Sequence, residues 1–130
     1  MQIRIQLRWS DFDALRHLNN VSYVEFMQDA RFKMLESLKL GAEHLVEVGH
    51  VVAHNQIDYL KPVGMHIREL IVDVKVEDVG GASYKLVYTF LDDSGTEYAK
   101  ARTVMVQVET GTGAVLRISD ELRALLLSHR

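Results

Sequence analysis

The sequence contains one strand pattern, then one long helical pattern, then four more strand patterns, and this order restricts the folds that the chain can adopt. Residues 3, 5, 7 and 9 are apolar and alternate with polar residues, which predicts a half-buried first strand. Apolar residues from Val21 to Leu38 repeat with helical spacing and predict a long helix. Segments rich in Val, Ile, Tyr and Thr predict four later strands, namely Val51 to Leu60, Ile67 to Val79, Ser83 to Leu91 and Glu97 to Glu109.

Turn residues between these segments predict how the strands are joined. Gly80-Gly81 and residues 93–95 (Asp-Ser-Gly) suit tight hairpins, and Pro62 separates the first two of the four strands. A short last helix is predicted for Glu121 to Leu127. We therefore predict a single α+β domain over residues 1–130. In it, an antiparallel sheet of about five strands wraps around one long central helix, and the last four strands form a meander. Because one helix covers only one sheet face, the outer face or an edge is expected to pack against a second subunit.

Composition excludes several classes of protein. The 130 residues, 48% of them hydrophobic, fit one core and leave no room for a second domain. With 15 basic and 18 acidic residues the net charge is -3, which argues against a nucleic-acid partner. The absence of Cys excludes disulfides and thiolate sites. The alternating start and the lack of an apolar run of about 20 residues predict a cytoplasmic protein without a signal peptide or a membrane partner.

A polar segment directly precedes the predicted long helix. Asp11 and Asp13 lie two apart in what is expected to be extended chain, so their side chains should point to the same side, and His17 follows. The backbone N–H groups of the turn around Asn20 can bind a carbonyl oxygen that becomes negative during a reaction. The residue pattern alone favours helix capping and solvation for these side chains over catalysis.

Two stretches of the sequence resemble a known family. Residues 9–23, WSDFDALRHLNNVSY, followed by Ala30 and Arg31, look like the pattern of the 4-hydroxybenzoyl-CoA thioesterase family, which has the hotdog fold. Residues 54–62, HNQIDYLKP, are similar to that family's second strand. The resemblance covers nearly the whole chain. It implies hydrolysis of acyl-CoA or acyl-carrier-protein thioesters by a homodimer or homotetramer that needs no metal and no organic cofactor.

The same resemblance suggests roles for individual residues. By position, Asp13 is implied to be the catalytic carboxylate, as general base or nucleophile, and the backbone N–H at about Asn20 to polarise the thioester carbonyl. His17 is a second candidate, for orienting water or substrate. Arg16 stands where many bacterial relatives have glycine, and Leu15 where a plant-type pattern has asparagine. The candidate substrate-binding residues are Asn19, Val21, Tyr23, Tyr59 and Lys61.

Other polar residues are expected to be structural. Arg31 falls inside the apolar stripe of the helix, so a pairing with Asp58 or Asp11 is predicted, with an interface position of its side chain as the alternative. Glu25 points away from that stripe. No metal site is predicted. His50 and His54 lie four apart in a likely strand, about 13 Å apart along it, and cannot bind one ion together. The other histidines lack ligand-like neighbours, and all five are interpreted as surface or core residues: His44, His50, His54, His66 and His129.

Two other functions remain open at this stage. Hotdog hydratases and dehydratases resemble a different pattern, with the histidine five residues after an aspartate and Asn-Pro between them, and the spacing of Asp13 and His17 does not fit it. A non-catalytic acyl-CoA-binding protein is the second alternative. Regulators of that kind usually carry a DNA-binding segment, for which the hotdog elements leave no room.

Overall fold

The computed structural model describes residues 1–130, apart from the side chain of Leu45. Its helices and strands follow the predicted order, and every predicted helix and strand is present. They are β1 (Gln2–Gln6), α1 (Asn20–Ser37), α2 (Ala42–Glu47), β2 (Val48–Tyr59), β3 (Glu69–Val79), β4 (Ser83–Leu91), β5 (Glu97–Glu109) and α3 (Asp120–Leu127), with a 3-10 turn at Trp9–Asp11. The predicted α+β class is therefore confirmed.

All five strands form one antiparallel sheet in the order β1-β3-β4-β5-β2. The predicted meander holds for β3, β4 and β5 but is wrong for β2, which pairs with β5 instead of β3. The segment after β2 contains Pro62 and does not turn back as a hairpin. It crosses beneath the loop that precedes α1, where Leu18 N–H donates to the Val63 carbonyl at 2.9 Å. The crossing leaves β1 and β2 as the two edges of the sheet.

The core lies between α1, α3 and the inner face of the sheet. Met27, Ala30 and Met34 of α1 are completely buried. They face alternate residues of two central strands, namely Leu70, Val72, Val74, Val76, Tyr84, Leu86, Tyr88 and Phe90. Burying one such side chain contributes about 1.5–3 kcal/mol to the free energy of unfolding. Val24 of α1 is 43% exposed, while Tyr23 and Phe26 are only 2% and 4% exposed, so the buried face of the helix includes these two aromatic residues.

β2 is a long edge strand that pairs on one side only. Most of its residues are exposed, including the apolar Val51 and Val52. The outer face of the sheet is charged instead, with Arg102 Nη2 3.0 Å from Glu77 Oε1. No helix in the described part of the chain has the length and apolarity needed to cross a membrane.

A bulge at Ala53 interrupts β2, because the register against β5 shifts there. Before the bulge, Val52 lies opposite Met105, and after it Asn55 lies opposite Thr103. Met105 and Thr103 are both buried on the inner face of the sheet. Val52 and Asn55 therefore both face inward.

Candidate active site

A tight turn in the loop before α1 positions Asp13 and His17. Phe12 pairs with Leu18 across this turn, and the Asp13 N–H donates to the His17 carbonyl at 2.9 Å. Asp13 Oδ1 accepts the N–H groups of Leu15 at 2.9 Å and of His17 at 3.3 Å. One carboxylate oxygen is thus held by the turn. Asp13 Oδ2 has no hydrogen-bond partner among the described residues and can accept one from a bound molecule.

The turn requires an unusual backbone conformation at Arg16. Its φ angle is 61°, in the left-handed region that favours glycine, and its N–H donates to the Asp13 carbonyl at 2.9 Å. A residue other than glycine pays about 1–2 kcal/mol in this region. Arg16 nevertheless adopts it, so the departure from glycine leaves the turn intact.

Asp11 and Asp13 do not face the same side, contrary to the expectation from extended chain, because Asp11 ends a 3-10 turn. Asp11 is 1% exposed. It accepts Arg8 N–H at 2.7 Å, Arg8 Nη2 at 2.9 Å and the Ser22 hydroxyl at 3.4 Å. Burial raises the pKa of Asp11, but the hydrogen bonds and charge of Arg8 and the Ser22 hydroxyl outweigh it, so the pKa lies below its usual value. Asp11 clamps the loop to α1.

The first turn of α1 leaves one backbone donor unused. Asn19 caps the helix, with its Oδ1 accepting the Val21 N–H at 3.1 Å. The Asn19 N–H donates to the Asp11 carbonyl at 2.8 Å. The N–H of Asn20 has no acceptor among the described residues. Since the partial positive charge of a helix lies at this end, the Asn20 N–H can bind an oxygen that becomes negative.

One cleft of about 350 Å³ brings most of the candidate residues together. Its lining residues are Asp13, His17, Leu18, Asn20, Tyr23, Tyr59, Leu60, Lys61 and Pro62. Asn19 and Val21 do not line it. Their polar backbone and side-chain groups form the helix cap, and the Val21 side chain is 59% exposed.

Two tyrosines form a wall of the cleft. The rings of Tyr23 and Tyr59 are 5.1 Å apart and nearly perpendicular, and Tyr23 contacts Phe90 at the same distance. Burial, with the neighbouring Tyr59 and Tyr98, raises the pKa of Tyr23 to about 12. The Tyr23 hydroxyl therefore keeps its proton at neutral pH and remains a hydrogen-bond donor.

The predicted ion pair of Arg31 is wrong, although its burial within the helix stripe is as expected. Arg31 is 9% exposed, and its Nη1 donates to the Tyr88 hydroxyl at 3.4 Å. Asp11 is engaged by Arg8, and Asp58 lies opposite Lys100 in the sheet. No carboxylate among the described residues forms an ion pair with Arg31.

The sequence interpretation missed a contact between two histidines. His44 Nε2 and His50 Nε2 are 2.8 Å apart, and His50 Nδ1 is 2.8 Å from the Tyr84 hydroxyl. Burial, followed by the neighbouring His44, lowers the pKa of His50 to about 4. The described residues contain no group of three or more metal-ligating side chains that could hold one ion.

The Glu25 side chain is exposed, as expected, and its carboxylate lies 3.7 Å from the Arg8 guanidinium.

A carboxylate with a free oxygen, a histidine and a free helix N–H around one cleft form an arrangement suited to hydrolysis of an acyl group. The chain belongs to the thioesterase-like superfamily, whose family model matches residues 7–126. Thioester hydrolysis is accordingly the class of reaction to which its fold and family point.

The chain is similar over nearly its whole length to individual relatives and to a solved structure. The long-chain acyl-CoA thioesterase FadM of Escherichia coli (strain K12) is 28% identical over 130 residues, covering 97% of this chain and 96% of FadM. The protein YsmA of Bacillus subtilis (strain 168) is 32% identical over 127 residues, covering 98% of this chain and 85% of YsmA. The crystal structure of the PA5185 protein of Pseudomonas aeruginosa strain PAO1 superimposes with a TM-score of 0.88 at 27% identity, covering 100% of this chain and 91% of that one. The hotdog fold is confirmed.

Proposed function

We propose that the protein is an acyl-CoA thioesterase of the 4-hydroxybenzoyl-CoA thioesterase family, with Asp13 as general base or nucleophile. The observation that carries the proposal is that Asp13 and the unpaired N–H of Asn20 belong to one cleft. A positioned general base contributes about 10²–10⁴ in rate, and an oxyanion donor about 10²–10³. The similarity to FadM, named as a long-chain acyl-CoA thioesterase, supports this class of substrate.

Either role of Asp13 gives a balanced reaction. As a base, Asp13 Oδ2 takes a proton from water while the water oxygen attacks the thioester carbonyl, and the proton then passes to the leaving thiolate. As a nucleophile, Asp13 attacks the carbonyl carbon first, and the C–S bond breaks to release the thiolate and leave a mixed anhydride. Water then hydrolyses the anhydride, which frees the acid, regenerates the Asp13 carboxylate and supplies the proton that the thiolate takes up. In both routes the Asn20 N–H binds the carbonyl oxygen as it becomes negative. His17, beside Asp13, orients the water.

The other lining residues bind the rest of the substrate. Tyr23 and Tyr59 pack against the acyl group next to the carbonyl, and the Tyr23 hydroxyl supplies a donor there. Lys61 is exposed at the edge of the cleft, where its ammonium group can meet a phosphate of coenzyme A.

The quaternary structure proposed with this function is a dimer formed through β2. The strand spans Val48–Tyr59, pairs on one side only and exposes apolar side chains, which is the kind of edge that a second copy can extend. Sedimentation velocity of the wild type should show a dimer or a larger assembly. Val51→Lys should shift the distribution toward monomer, whereas Val115→Lys, at a residue 66% exposed elsewhere, should not. A monomeric wild type contradicts the dimer.

Release of free thiol from a panel of acyl-CoAs tests the proposed activity. The panel contains short, long and aromatic acyl groups, and the same assay is run with acyl-carrier-protein thioesters. We expect turnover by the wild type and a loss of at least about a hundredfold in kcat for Asp13→Asn. The matched control is Asp29→Asn, which changes an exposed carboxylate of α1 outside the cleft. An Asp13→Asn variant with full activity, or a wild type without turnover on any thioester, contradicts the proposal.

A further inference from the structure

A second cavity, separate from the cleft, lies along the C-terminal half of α1. Its volume of about 720 Å³ falls within the range of about 300–1,000 Å³ typical of small-molecule sites. Most of its wall is hydrocarbon from α1, the loop after α1, β2 and β5, including Phe32, Leu35, Leu40, Val48, Val52 and Met105. A wall of this kind suits an aliphatic chain.

A buried cation lines the same cavity. Arg31 is 9% exposed and has only the neutral Tyr88 hydroxyl as a side-chain partner among the described residues. The guanidinium nitrogens that Tyr88 does not bind are not among the enclosed polar atoms without a partner, so they open onto the cavity, where a carboxylate or a similar group can pair with them. Glu36 also lines the cavity, but its side chain is 75% exposed and lies 3.9 Å from Lys33.

The other polar groups of the wall satisfy one another. His44 and His50 share one hydrogen bond at 2.8 Å, and the second ring nitrogen of His50 bonds to the Tyr84 hydroxyl. The low pKa of His50 keeps its ring neutral at neutral pH, so it adds no charge beside Arg31. Arg31 is the buried cation that remains without an anionic partner in this wall.

We propose that this cavity binds an aliphatic carboxylate, with the carboxylate paired to the Arg31 guanidinium and the chain along the apolar wall. An arginine forms two parallel hydrogen bonds with a carboxylate, which gives the site selectivity for this headgroup. Two kinds of molecule carry such a group: a free fatty acid, and a dicarboxylic acid whose other end is a thioester. They present the same chemistry to Arg31.

Calorimetric titration with decanoate tests the site without any reference to the proposed hydrolysis. We expect decanoate to bind the wild type at least about tenfold more tightly than methyl decanoate, which has the same chain but no charge. Arg31→Met, which keeps the site buried but removes the cation, should abolish this preference. Lys39→Met, at an exposed cation of the same cavity, should retain it.

A kinetic comparison separates the two sources of the carboxylate, and this part does rest on the proposed function. The substrates are decanoyl-CoA and the mono-CoA thioester of decanedioic acid. If the distal carboxylate occupies the cavity, the second substrate has at least about a tenfold lower KM with the wild type, and Arg31→Met removes the difference.

An Arg31-dependent preference for the carboxylate in either experiment supports the site, and the KM comparison decides between the two sources. Equal binding of decanoate and its methyl ester, together with equal KM values for the two thioesters, overturns the proposal. These wild-type comparisons decide the matter even if Arg31→Met fails to fold. A protein that hydrolyses no thioester but prefers decanoate retains this site and loses only the proposed activity.

Discussion

The two ends of α1 carry cavities of opposite character. The cleft at its N-terminus, about 350 Å³, is lined by exposed polar side chains and a free N–H. The cavity along its C-terminal half, about 720 Å³, is mostly apolar and holds a buried guanidinium without a carboxylate. β2 supplies the opposite wall of both, through Tyr59 at one end and His50 at the other. The first region thus offers polar groups for chemistry, and the second offers an apolar wall and one cation for binding a ligand.

Replacing Asn20 by proline should have the largest effect, and it acts on the first of these two regions. Proline removes the N–H but is well tolerated as the first residue of a helix, and the extended conformation of Asn19 (φ -67°, ψ 141°) is compatible with a following proline. We expect Asn20→Pro to lower kcat about 10²–10³-fold in the thiol-release assay. Asn20→Ala keeps the N–H and is the matched control. Equal losses in both variants would assign the role to the side chain instead.

Asp11→Asn should weaken the scaffold of the cleft and leave the cavity unchanged. The amide nitrogen would face donors from Arg8, so a buried group loses its partners, and we expect a loss of about 1–3 kcal/mol in the free energy of unfolding. Urea denaturation at neutral pH measures it. Decanoate affinity should not change. Unchanged stability would show that the clamp between Asp11 and Arg8 is not needed to hold the loop.

His50→Gln tests whether burial of His50 in the cavity wall makes the stability of the protein depend on pH. The folded state holds the pKa of His50 at about 4, against an ordinary value of 6.5. Between these values the unfolded chain binds a proton that the folded chain does not, so stability falls as the pH falls from 6.5 toward 4.

We expect the decrease in the free energy of unfolding from pH 7 to pH 4.5 to be about 1–2 kcal/mol smaller in His50→Gln than in the wild type. Urea denaturation at both pH values measures this difference. His54→Gln, at an exposed position of the same strand, should behave like the wild type. The same pH dependence in all three proteins would show that His50 is not desolvated.

Arg16→Gly should have the smallest effect, and it is stabilising. Glycine adopts the φ of 61° without steric cost, so we expect a gain of about 0.5–1 kcal/mol after the larger entropy of the unfolded chain is included. The activity should be retained, because Arg16 does not line the cleft. Ala14→Gly, in the same turn but without positive φ, should destabilise instead. A destabilising Arg16→Gly would mean that the arginine side chain supports the turn.

The helices and strands were predictable because their signal is local. Periodicity predicted the start of α1 at Val21, and the helix begins one residue earlier, at Asn20. The apolar pattern does not fix this residue, because the position of the capping residue Asn19 determines it. The order of the strands was not predictable from local pattern. The pairing of β2 with β5 depends on contacts between residues about 50 apart in sequence, such as Val51 with Val106.

The candidate site could also be predicted from the sequence, because its signal is local too. Asp13, His17 and Asn20 lie close together along the chain, and one tight turn and one helix cap suffice to arrange them. The contact of His44 with His50 was missed because it joins α2 to β2, and the packing of a short helix on a strand does not follow from local pattern. Since the strand begins at Val48, the His50 side chain lies in the sheet, facing the inner side.

The bulge at Ala53 determines which side chains β2 offers to the interior. Successive residues of a regular strand alternate between its two faces, so Val52 and Tyr59, which are seven positions apart, would lie on opposite faces if the strand had no bulge. The bulge reverses the alternation once, and both cavities therefore receive a wall from the same strand. Deleting Ala53 removes the extra residue together with the bulge, so Val52 and Tyr59 should still share the inner face and both cavities should keep this wall.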